Sequence, residues 1–151
     1  FKDERGRIRG ILTTSSYEAR AYGVKTAMSI REALILCPDL IIKAPNMSLY
    51  QKLSHELHEF LSTKIPLVEQ ASIDEFYGDL RGWVADEDTP SFIDNLRREI
   101  KEATKLPVSI GAAKTRYLAK LATSAAKPFG CRVLYPDEVD EFIDKIPVGE
   151  F

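Results

Sequence analysis

VEQASIDEFYGDL, residues 68–80, sets two neighbouring carboxylates, Asp74 and Glu75, at the junction of two short runs with strand character. Acids at the turn of a strand pair can share divalent cations, and such cations serve enzymes that handle phosphate esters. The plain alternative is a charged hairpin turn. Adjacency alone decides little, because Asp3/Glu4, Asp86/Glu87, Asp137/Glu138 and Asp140/Glu141 are also paired. Those pairs lie in polar loops or at helix starts. Asp74 and Glu75 instead follow Ala71 and Ile73 and precede Phe76 and Tyr77, the surroundings of a folded hairpin.

On the N-terminal side, Leu49, Tyr50, Leu53, Leu57, Phe60 and Leu61 recur at helical spacing almost to Pro66. Ser48 with Gln51 gives that helix a capping-box start. HELHE within it places His55 and His58 three apart, one residue short of the HExxH zinc motif and with no third ligand in view, so solvated helix-face histidines are expected. On the C-terminal side, Thr89 is the expected N-cap of a helix with Pro90 at its first position and Phe92, Ile93, Leu96, Ile100 and Ala103 on its apolar stripe. PVSIGAA (107–113) then reads as a strand. KTRYLAKLATSAAK (114–127) reads as a helix with Leu118, Leu121 and Ala125 on its core face, ended by Lys127, Pro128 and Gly130. GAAKT is no phosphate-binding P-loop, since that motif needs glycine directly before the lysine and Ala113 stands there. CRVLY (131–135) is a final strand, and Pro136, Asp137 and Glu138 open a helix carrying Val139, Phe142 and Ile143.

From Asn46 the order is therefore α, β, β, α, β, α, β, α. It predicts an α+β fold, a ferredoxin-like palm with a mixed sheet and packed helices. The first 45 residues read as a small α/β lobe. There ILTTS (11–15) is β-prone, Ser16 caps a short helix stopped by Gly23, and Leu40–Ile42 reads as a buried strand. Ser29 opens a second helix with Ile30, Ala33, Leu34 and Cys37 on one face, closed by Pro38. Residues 1–10, with Lys2, Arg5, Arg7 and Arg9 around Gly6 and Gly10, read as a solvated turn.

Composition narrows the classes. With 151 residues, 44% of them hydrophobic, the chain can bury a core as one globule or two small lobes. No apolar run reaches the roughly 20 residues of a membrane span, and FKDERGRIRG holds no signal-peptide core, so a soluble protein without membrane partners is expected. Cys37 and Cys131 stand far apart without CxxC spacing, which argues against a zinc knuckle or a disulfide scaffold and fits a reducing cytoplasm. A net charge of -2 gives no general basic footprint for nucleic acid, so any such role must come from local geometry or further parts.

SYEARAYGVKTAM (16–28), ASIDEFYGDL (71–80), SIGAAKTRYLAKLA (109–122) and AAKPFG (125–130) occur in that order. With these four blocks the chain resembles the Y-family (UmuC/ImpB-type) translesion DNA polymerases over residues 11–148. The resemblance implies part of the fingers at residues 1–45, a palm lacking its N-terminal catalytic strand at 46–138, and the start of a thumb at 139–151. It also implies nucleotidyl transfer from a dNTP to a primer 3′ hydroxyl during damage bypass. The implied cofactor is Mg2+, and the implied partners of the intact parent are primer-template DNA and a sliding clamp.

Such transfer leaves a protein mostly positioning and charge neutralisation to perform, through two Mg2+ ions roughly 3.5 to 4 Å apart. By resemblance, Asp74 and Glu75 are the second and third acids of the catalytic set and hold the metal. Neighbouring side chains of a regular strand face opposite ways, so a tight turn or bulge is expected at Ile73–Phe76. By motif position Tyr17 and Arg20 contact the triphosphate, with Thr14 close by and Lys127 completing the clamp. An ordinary surface arginine, and a lysine paired with a helix C-terminal dipole, are the plain readings of Arg20 and Lys127.

Three departures from the family pattern stand out. Its first catalytic aspartate, in a DxDxFF-like segment that also carries the steric gate, is absent, and Asp3 has no claim to that role. The chain ends where the thumb's helix-hairpin-helix would begin, so catalytic incompleteness is expected of these residues alone. Gly78 stands where a larger apolar residue is common, implying a looser second strand. Two other classes remain open: a non-catalytic palm-fold scaffold or accessory module, and another palm-type nucleotidyl transferase such as a cyclase, which would lack SYEAR and AAKPFG.

Overall fold

Asn46 starts the longest helix, α3 (Met47–Lys64), by accepting the Leu49 amide on its side-chain oxygen at 3.1 Å. Ser48, the expected cap, lies inside the helix and donates its hydroxyl to Asn46 Oδ1 at 2.9 Å. Asn46 takes the role because it is the residue with non-helical backbone before the first turn (φ -114, ψ 82). The computed structural model describes residue 6 and residues 9–146. Asp3, most of the basic turn expected over residues 1–10, and residues 147–151 of the expected thumb segment lie outside the described residues. The chain divides into two units between Pro45 and Asn46.

In the second unit, Leu57 and Leu61 of α3, Ile65, and Leu96 and Ile100 of α4 (Thr89–Thr104) form the core. Burying such side chains contributes about 1.5–3 kcal/mol each. Phe60, Val68, Phe76, Leu80, Val108 and Ile110 pack around it. The expected helical stripes are trimmed at their ends: Leu49, Tyr50 and Ala103 are exposed. Asp88 precedes α4 in place of the expected Thr89 cap, and the buried Thr89 donates its hydroxyl to the Ala85 carbonyl at 3.0 Å. His55 faces solvent beside Glu59, whereas His58, expected to be solvated, is half-buried with its ring 6.1 Å from that of Phe76.

β1 (Leu67–Gln70) and β2 (Phe76–Asp79) pair antiparallel, with Leu67 opposite Asp79 and Gln70 opposite Phe76. β3 (Ile110–Ala113) and β4 (Cys131–Leu134) pair in parallel, joined by α5 (Arg116–Ala126) in a βαβ crossover. Both pairing senses of the expected mixed sheet are present, distributed over two two-stranded sheets. A 3-10 turn at Pro136–Glu138 leads into α6 (Val139–Asp144).

Two glycines govern how closely these layers meet. A Cβ on Gly111 would strike the backbone of α5 at Thr123 N and Ala119 O, so the bare backbone there lets the helix lie on the strand. Leu121 and Ala122 are the buried residues of α5, and Ala125, expected on that face, is exposed. A Cβ on Gly78 would lie 2.7 Å from Ile65 Cδ1. Gly78 therefore tightens β2 against the core residue that follows α3, contrary to the expected loosening.

The first unit has its own small core of Ala19, Val24 and Ala33, with Leu12, Met28, Cys37 and Leu40 against it. Ser16 and Ser29 cap α1 (Tyr17–Ala21) and α2 (Ile30–Leu36) as expected, Ser29 within a capping box with Glu32. Neither expected strand forms. Residues 11–15 contribute one bridge, Ile11 to Ser29. Leu40–Ile42 finds no partner strand among the described residues, and Ile41 is 82% exposed. β-propensity without a ladder to complete leaves such a run as irregular chain.

Gly111→Ala is expected to cost about 3 kcal/mol, the upper range for overpacking, because helix backbone cannot step aside. Gly78→Ala should cost about 1 kcal/mol, since the obstructing Ile65 methyl can rotate. Urea denaturation of the two variants measures the difference; equal costs would contradict the packing described.

Candidate active site

The connection between β1 and β2 turns on one carbonyl. Glu75 O accepts the amides of Ala71 at 2.9 Å and Ser72 at 3.2 Å, so the backbone leaves the extended form over residues 72–74, one to two residues earlier than the expected Ile73–Phe76, and Phe76 already belongs to β2. Gln70 Nε2 anchors the turn, donating to Ser72 O at 3.0 Å and to Oγ of the buried Ser54 on α3 at 2.8 Å. Asp74 emerges from this turn exposed, its Oδ1 accepting the Ser72 hydroxyl at 2.9 Å.

Glu75 is held much more firmly. Lys120 Nζ donates to both of its oxygens, at 3.0 and 2.8 Å, and the Tyr77 hydroxyl donates to Oε1 at 2.6 Å. Lys120 lies on α5, 45 residues away in sequence. One turn earlier on the same helix, Arg116 grips Glu69 with two hydrogen bonds of 3.0 and 2.9 Å and lies over the Tyr77 ring at 4.4 Å. Glu69 and Tyr77 are cross-strand partners, so one guanidinium clamps both strands of the hairpin.

These contacts bias the proton equilibria. The Lys120 hydrogen bond, followed by that from Tyr77, holds the Glu75 carboxyl below the usual carboxylate range, with a smaller Coulombic pull from Lys127. Glu75 in turn pushes the Tyr77 hydroxyl and the Lys120 ammonium upward. Outside the turn, the Arg81 guanidinium lowers Asp79 to about 2.

Each candidate residue now has a place. Asp74 and Glu75 share the hairpin turn, and Lys127 caps the C-terminal end of α5, with its field reaching Glu75. In the first unit, Tyr17 and Arg20 sit on α1, the guanidinium 4.8 Å from the Tyr17 ring centroid and its Nε donating to Ser15 O at 3.1 Å. Thr14 is exposed in the segment before that helix. Tyr77, Arg116 and Lys120 are the site residues that sequence reasoning missed. The four-residue spacing of Arg116 and Lys120 marked a basic helix face, but nothing local named Glu69 and Glu75 as its partners.

The described residues contain no group of three His, Cys, Asp or Glu side chains placed to hold a metal ion. The donors present suit a hard divalent cation in kind, being two adjacent carboxylates, one of them exposed. No helix among the described residues is long and apolar enough to cross a membrane.

The α+β fold of this chain has counterparts among known proteins. The chain belongs to the impB/mucB/samB family, whose profile matches residues 2–124. It is 40% identical over 149 residues to DNA polymerase IV of Ectopseudomonas mendocina, the match covering 94% of this chain and 41% of that protein. It is 41% identical over 143 residues to DNA polymerase IV of Pseudomonas fluorescens, covering 94% of this chain and 40% of that protein. Among solved structures it resembles DinB from Sulfolobus solfataricus, with a TM-score of 0.87, 32% identity and coverage of 95% of this chain and 42% of that one. An insertion ternary complex of Dbh DNA polymerase matches with a TM-score of 0.87 and 31% identity, over 100% of this chain and 44% of that one. The chain thus spans about two fifths of the length of these relatives.

The Glu75 shift carries a sign. A carboxyl lowered in the folded state adds stability that is present above the usual carboxylate range and lost as pH falls through the lowered value. In chelator-containing buffer, Tm should therefore fall between pH 5 and the acid limit of folding, and Lys120→Met should flatten part of that fall. Identical acid profiles for the two proteins would contradict the Glu75–Lys120 pairing.

Proposed function

We propose that this chain is the fingers-and-palm portion of a DNA-directed translesion DNA polymerase, with residues 1–45 as partial fingers, 46–138 as palm and 139–151 as the start of the thumb. The observation that carries the reading is the Asp74–Glu75 turn braced by α5, in a chain 40% identical to a DNA polymerase IV. The intact protein would act on primer-template DNA and a dNTP in the cytoplasm, with a sliding clamp as a further partner.

In this reading Asp74 and Glu75 hold Mg2+, which when bound supplies neutralisation of the phosphate charge and polarises the reacting oxygens. Glu75 is oriented for that task by Tyr77, whose ring is itself packed under Arg116. Arg20 offers a planar donor fork to the triphosphate, with Tyr17 stacked beside it and Thr14 adding a hydroxyl. Lys127, at the end of α5, provides a mobile point charge suited to triphosphate. These roles leave the protein the positioning and charge work that phosphoryl transfer requires.

Primer extension by the intact protein tests the assignment. Asp74→Ala and Glu75→Ala should each lower kcat on the order of a thousandfold, from the loss of several kcal/mol of charge stabilisation. Arg20→Ala should raise the dNTP KM by about tenfold or more, as expected for a lost charged hydrogen bond. Extension retained in both carboxylate variants would overturn the metal assignment, and formation of a cyclic nucleotide in place of extended primer would overturn the polymerase reading.

A further inference from the structure

Lys120 has no part in the chemistry just described, yet its ammonium lies on both oxygens of Glu75. With the Tyr77 hydroxyl also on Oε1, three of the about four lone-pair directions of that carboxylate are taken. The two donors differ in freedom. Tyr77 belongs to β2 and carries the Arg116 guanidinium over its ring, so it stays with the hairpin. Lys120 stands on a flexible four-carbon stem with 60% of its side chain exposed, so its ammonium can swing into solvent without disturbing α5.

We propose that Lys120 is a positioning residue, a built-in counter-cation that holds Glu75 in the metal-free protein and has to release it when a divalent cation binds. The inference rests on the reading of Asp74 and Glu75 as metal ligands. Lys120 then acts on the metal through Glu75, by competing for the same two oxygens. Removing its charge should strengthen cation binding, the opposite of what loss of a ligand or of a structural brace would do. Lys120 is exposed and stands outside the buried core, so its replacement removes no core packing.

Binding of Mn2+ alone to the 151-residue chain, followed by the loss of the free-ion paramagnetic resonance signal at low ionic strength, separates these cases. Far-UV circular dichroism confirms that each variant is folded. Lys120→Met should bind Mn2+ about five- to tenfold more tightly than the unaltered chain, on the scale of a nearby unit charge in partly screened surroundings. Lys120→Arg, which keeps the charge, should stay close to the unaltered chain. In a Glu75→Gln background the gain from Lys120→Met should vanish. Equal or weaker binding by Lys120→Met, binding that stays undetectable in it, or the same gain in the Glu75→Gln background would each overturn the inference. If Glu75→Gln weakens binding while Lys120→Met gives no gain, the counter-cation role alone falls. If Glu75→Gln leaves binding unchanged, the metal reading beneath it falls.

Discussion

Helix α5 can lie on strand β3 because Gly111 puts no atom between them, and the site depends on that close approach. The helix backbone at Ala119 and Thr123 occupies the space a side chain would need. Held there, α5 projects Arg116 and Lys120 toward the β1–β2 hairpin, where Glu69, Glu75 and Tyr77 meet them. Among the described residues the two small sheets share no ladder, so these side-chain bridges, together with the α3–α4 core, connect the hairpin to the βαβ half of the unit. Gly78 has the matching role on the other side, admitting Ile65 against β2.

The same arrangement reconciles a chain of net charge -2 with a reading that requires affinity for polyanions. Within its 21 Lys and Arg residues some are placed locally. Arg116, Lys120 and Lys127 fall along a single helix and its cap, and Arg20 is set by a bond to Ser15 O with its plane beside Tyr17. Surface ion pairs of this kind add little to stability, commonly below about 1 kcal/mol. Their value here is geometric: they fix where a carboxylate and a guanidinium stand before any ligand arrives.

Much of this was legible in the residues themselves. Periodicity located α3, α4 and α5, capping serines located α1 and α2, and the apolar flanks of Asp74 and Glu75 marked their hairpin out from four other acidic pairs. What failed did so for want of tertiary information. Leu40–Ile42 has the composition of a strand, but no neighbouring strand completes it among the described residues. Asn46 displaced Ser48 as a cap because the choice depends on which residue leaves helical backbone, a matter of one or two positions. Gly78 read as a weakness until Ile65 was seen against it. Lys120 carries no local signal of its role, because its partner lies 45 residues upstream.

The proposed role of the Asp74–Glu75 turn is to bind the cation. Anomalous diffraction from crystals of the intact protein grown with Mn2+, DNA and a non-hydrolysable dNTP analogue tests it most directly. The expected result is an anomalous peak within coordination distance of both carboxylates, with the Lys120 ammonium withdrawn from Glu75. Manganese bound elsewhere, with Glu75 still held by Lys120, would contradict it.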